Sequence, residues 1–90
     1  MQMVVSFSRD NNVFVLPVAA NFGTSFRDNS CSRFHEAVKI AHEHLKANAN
    51  FHLDFESFKN CCIYAWDLAS ITGTLQTSRI LSNVIVTITP

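Results

Sequence analysis

Between Ser32 and Ala47 the apolar residues Phe34, Ala37, Val38, Ala41 and Leu45 recur at spacings of three and four. At about 100° per residue they fall on one stripe, which commits the segment to an amphipathic helix with a single buried face. Ser30 or Ser32 can cap its start, and Asn48 and Asn50 suit its end because asparagine tolerates the left-handed conformation. A helix with one apolar stripe needs a second layer to cover it.

The rest of the chain supplies that layer. Met1 to Phe7 and Val13 to Val18 are rich in β-branched and aromatic residues, and the polar run Arg9, Asp10, Asn11, Asn12 between them reads as the turn of a β-hairpin. Pro17 cannot donate to a ladder, so the second strand ends there or lies at an edge. Ala19 to Ser30, with Gly23, Asp28 and Asn29, is expected to be a loop. Asn50 to Phe55 alternates, with Phe51, Leu53 and Phe55 on one side and His52 and Asp54 on the other, as a half-buried strand does. Ser57 then offers a cap for a second helix to about Ser70, with Phe58, Cys61, Cys62, Ala65, Leu68 and Ala69 on one face and Gly73 as its stop. A single helix starting at Asp54 is the alternative, and it removes the strand. Val84 to Thr89 is a strand closed by Pro90. Thr74 to Leu81 either pairs with it as a hairpin or forms a short helix.

The expected fold is therefore α+β: a small mixed or antiparallel sheet, in the order β-β-α-β-α-β with one possible extra strand, and two helices packed on it. Ninety residues hold one such domain, spanning 1–90. A chain with 48% apolar and 16% charged residues is expected to fold, and its eight phenylalanines and Trp66 enlarge a core that the short length would otherwise limit.

Seven basic and seven acidic residues leave no net charge, which removes the long-range attraction used by nucleic-acid and anionic-membrane binders. It also weakens repulsion between copies, so a homodimer is favoured. No apolar run reaches the roughly 20 residues of a spanning helix, and no membrane is expected as a partner. Val13 to Ala20 ends in small residues like a signal-peptide cleavage region, but Asp10, Asn11 and Asn12 interrupt the stretch before it. Cys31, Cys61 and Cys62 are odd in number and include an adjacent pair, which suits reduced thiols and an intracellular, cytoplasmic location.

Several constellations could carry chemistry. His35, Glu36, His42, Glu43 and His44 crowd the first helix, but His35 and His42 stand about 10.5 Å apart along the axis and His42 and His44 point to nearly opposite sides. With Lys39 and Lys46 beside them, His35 and His42 read as a solvated basic stripe, and no metal site or cofactor is expected. Cys61 or Cys62 with a histidine and Asp54 or Asp67 has the residue types of a thiol-dependent hydrolase, yet both cysteines sit on or beside the inward face, where a thiol behaves as a small hydrophobe. Two glycines alone build no phosphate loop. Residues 66–81, with Gly73 between two segments and Thr77, Ser78 and Arg79 on the second, resemble a degenerate helix-turn-helix, although Arg79 is the single positive charge there. Phe14, Val15, Pro17, Asp28, Glu36, Ala37, Ala41, Glu43 and Leu45 together resemble the hairpin, loop and helix of the HicB-type antitoxin domain. That likeness covers under half the chain and lacks the family's proline-glycine-cysteine turn, so no membership follows.

Phe22, Phe26 and Phe51 are the aromatics expected to escape the core and to offer a partner surface. The leading expectation is a non-enzymatic interaction or regulatory protein, self-associating through an exposed sheet edge or an aromatic patch. A nucleic-acid-binding regulator and a thiol-dependent hydrolase are the alternatives; the first lacks a basic face and the second lacks a nucleophile motif.

Overall fold

The computed structural model describes residues 2–16 and 30–90, with the side chains of the second stretch described from Arg33 onward. Its elements are β1 (Gln2–Arg9), β2 (Asn12–Val15), α1 (Ser30–Asn48), α2 (Phe55–Thr72), β3 (Gln76–Ile80) and β4 (Val84–Thr89). The four strands form one antiparallel sheet in the order β2-β1-β4-β3, and the fold is α+β.

The first hairpin follows from two residues. Asp10 and Asn11 have φ of 52° and 64°, and they are the whole loop between the paired Arg9 and Asn12. Positive φ at both central positions is the signature of a type I′ turn, whose twist matches that of the flanking strands, and Asp and Asn are among the few residues that accept it cheaply. At the other end of the chain, β3 and β4 form the hairpin that was one of two options for residues 74–81. Its loop is Leu81, Ser82 and Asn83, between the paired Ile80 and Val84.

Strands β1 and β4 lie side by side in the sheet centre, from Gln2 opposite Thr89 to Phe7 opposite Val84. Period-two alternation then puts Met3, Val5 and Phe7 with Val84, Val86 and Ile88 on one face, all buried. Both helices cover that face. The stripe expected from the sequence is the one α1 buries: Phe34, Ala37, Val38, Ala41 and Leu45. Helix α2 adds Phe58, Cys62, Ala65, Trp66 and Ala69, and the rings of Phe34 and Trp66 meet at 4.3 Å where the helices touch.

The order is β-β-α-α-β-β, so the expected strand between the helices is absent. Residues 50–54 carry no ladder, and the alternative of a helix starting beside Asp54 holds. Asp54, not Ser57, is the N-cap: its carboxylate accepts the Ser57 N–H at 3.0 Å and the Ser57 hydroxyl at 2.8 Å. Gly73, with φ of 67°, ends α2 by donating its N–H to the Ala69 carbonyl at 2.9 Å, as a left-handed cap requires.

Candidate interaction surfaces

The helix between Phe34 and Leu45 aims His42 inward rather than to solvent, which corrects its assignment to a solvated stripe. Its ring packs against Phe55, Phe58 and Phe51, with centroids 5.5, 5.7 and 6.1 Å away. Its Nε2–H donates to the Leu53 carbonyl at 2.8 Å. His42 lies about 80° from the centre of the α1 stripe, on the flank that the start of α2 covers. Lys39, Glu43 and Lys46 remain outside and, with His42 and Phe55, line an open groove of about 280 Å³. Among the described residues, neither lysine has an ion pair and no group of three His, Cys, Asp or Glu side chains is placed to hold a metal. One carboxylate between two ammonium groups leaves the groove with one net positive charge, and no further polar group on the described residues converges on it to fix a ligand.

Cys62 and Cys61 follow the packing expectation, and the side chain of Cys31 lies outside the described residues. Cys62 is fully buried, and burial, followed by the neighbouring Cys61, pushes its pKa to about 12. A thiol so held has almost no nucleophilic thiolate near neutral pH. Cys61 is half-buried, and among the described residues neither thiol has a hydrogen-bonded histidine.

Phe51 is 4% exposed, which removes it from any partner surface; it closes the core beneath His42 and Phe58. Phe22 and Phe26 lie outside the described residues. Thr77, Ser78 and Arg79 stand on strand β3, not on a recognition helix. Their side chains alternate, Thr77 and Arg79 on the sheet face opposite the helices and Ser78 toward the helices, so they cannot enter a groove together as one helical face would.

Two surfaces stand out. The first is the β2 edge. The Leu16 N–H donates to the Val5 carbonyl at 2.9 Å, which makes Ser6 and Val15 a non-hydrogen-bonded pair and sets the phase of the ladder. By that phase Asn12 and Phe14 turn their backbone groups to β1, and Val13 and Val15 turn theirs outward. Val13 is 69% and Val15 67% exposed, on the sheet face opposite the helices, and Val4 and Ile85 share that face. Phe14 stacks on Phe7 at 5.2 Å on the other face, beneath the Arg9 guanidinium.

The second surface is a stripe on α2, of which the sequence reading placed Cys61 and Leu68 on the buried face and left Tyr64 and Ile71 unassigned. Cys61, Tyr64, Leu68 and Ile71 recur at three, four and three, about 120° around the helix from the buried stripe. Cys61 and Leu68 are half-buried, whereas Tyr64 is 68% and Ile71 80% exposed; Leu75, just past the Gly73 cap, is also exposed. The signal was present as a second apolar periodicity in one helix, but only the positions of α1 and the sheet separate the two stripes.

No helix among the described residues is long and apolar enough to cross a membrane. No family model, no curated protein and no solved structure matches the chain.

Proposed function

We propose that the chain is a non-enzymatic interaction protein that self-associates by pairing its β2 edge with that of a second copy. The observation that carries this reading is the outward backbone of Val13 and Val15, unpaired among the described residues, uncharged and flanked by apolar side chains. Edge strands of that kind are ready templates for another strand unless a charge, a proline or a covering element blocks them. The sequence Val13-Phe14-Val15 is its own mirror about Phe14, so a two-fold axis there places Val13 opposite Val15 of the copy and Phe14 opposite Phe14. Four backbone hydrogen bonds and one apolar row on each face result. Zero net charge offers no long-range opposition.

Four residues of strand span about 14 Å, so this contact falls below the roughly 800 Å² per partner of a standard interface and the dimer is weak and reversible. Sedimentation over a wide concentration range should show monomer giving way to dimer, and the double variant Val13→Lys, Val15→Lys should stay monomeric with an unchanged melting temperature. A parent that is monomeric throughout, or a variant that dimerises like the parent, refutes the reading. Co-sedimentation with short duplex DNA that dissolves as salt rises would replace it with the nucleic-acid alternative.

A further inference from the structure

We infer that the exposed stripe of α2 is a docking surface for an amphipathic helix of a partner protein that carries a basic residue beside its apolar stripe. The spacing of Cys61, Tyr64, Leu68 and Ile71 is that of alternating knob positions along one side of a helix, and it extends about 15 Å, close to three turns. A partner helix crossing at a shallow angle meets all four, whereas an added strand would meet them out of step. Large apolar side chains left this exposed on a small domain mark a contact surface when they are contiguous.

Charge decides the occupant. Asp67 lies on the outer flank of the stripe, half-buried and, among the described residues, without an ion pair, and residues 60–72 contain no basic side chain. The one lysine of α2, Lys59, is held by Glu56 at 2.9 Å. The outer flank is therefore singly negative, and a lysine or arginine on the partner helix complements it. A second copy of this chain fits poorly. Antiparallel packing about Leu68 sets Tyr64 against Ile71 of the copy, as wanted, but it also brings the two Asp67 carboxylates together. This surface is separate from the β2 edge, and the inference stands or falls independently of self-association.

The test uses the full chain and two synthetic helical peptides of three heptads, with leucine at the seam positions and either lysine or glutamate along both flanks, titrated by calorimetry. The lysine peptide is expected to bind one to one and saturably, and the glutamate peptide about threefold or more weakly, the scale of a surface ion pair. Ile71→Asp should weaken the lysine peptide about tenfold or more, as loss of a buried isoleucine contact does, while still folding cooperatively, its melt lowered only by a carboxylate in the last turn of α2. Asp67→Asn should narrow the gap between the peptides. Val13→Lys, Val15→Lys should bind like the parent. The inference is overturned by absence of saturable binding at millimolar peptide, by equal binding of the two peptides, by an Ile71→Asp chain that binds as tightly as the parent, or by loss of binding in the β2 variant.

Discussion

The Nε2–H of His42, in the middle of α1, donates to the main-chain carbonyl of Leu53 at 2.8 Å and so fastens the segment that joins the two helices. That segment has no ladder of its own, and Asn50 within it takes a positive φ of 51°. The imidazole supplies the partner that regular structure would otherwise provide, while Phe51, Phe55 and Phe58 exclude water from its ring.

His42→Ala removes both the donor and a ring packed among three aromatics. The expected loss is about 3 kcal/mol, combining roughly 1 kcal/mol for the hydrogen bond with a cavity cost. His42→Leu keeps most of the volume and should lose only about 1 kcal/mol. Urea unfolding of the two variants checks the order; equal losses would show that the hydrogen bond, not the packing, dominates.

Asp54 is held below its ordinary pKa of 3.8, first by the Ser57 hydroxyl and then by the Ser57 N–H. A depressed folded pKa contributes stability above the unfolded value, and that contribution disappears as pH falls through the folded one. Asp54→Asn keeps an acceptor for the cap but cannot titrate. Melting curves should therefore converge for parent and variant as pH drops below about 4, with the parent the more stable at neutral pH. A constant gap down to the acid limit would contradict the cap.

For Cys62 the sign reverses. Its folded pKa, about 12, lies above the ordinary 9.0, so the neutral thiol's contribution is complete below pH 9 and is lost between pH 9 and 12. Cys62→Ala should lower stability at neutral pH and flatten this alkaline decline relative to the parent. In the native parent at pH 8, iodoacetamide should label Cys61 well before Cys62, read by peptide mass mapping; equal labelling would mean that the α2 core face opens.

Leu81 begins the β3-β4 loop with φ of 57° while 57% exposed, so its side chain gives little burial in return for a left-handed backbone. Leu81→Asn should raise stability by about 1 kcal/mol, since asparagine accepts that conformation, and the β-branched Leu81→Val should lower it. Thermal melts of both variants decide.

The α1 stripe, the N-terminal hairpin, the last strand and the Gly73 stop were legible because each is a local pattern, whereas residues 74–81 left hairpin and short helix both open. A helical stripe, an Asp-Asn turn and a capping glycine act within a few residues. Phe51, Leu53 and Phe55 show where such reading ends. Their alternation identified inward side chains correctly in kind, since Phe51 is buried and the other two pack against the core. A strand, however, needs a neighbour, and a segment passing between two helices on one face of the sheet has none within reach. Asp54, two residues from the expected strand's centre, caps the next helix instead.

Local chemistry alone thus determined that this chain has two helices with an apolar face, α1 the more regular, strands at both ends and no net charge to repel its neighbours. Which flank of α1 would be covered by α2 was decided only in three dimensions, and it moved His42 from solvent into an aromatic pocket. The same packing buried Cys62 and left Tyr64 and Ile71 outside, although all three belong to one helix. Periodicity gives the angle of a side chain around its own axis; burial depends on what stands at that angle, and that is a long-range property of the fold.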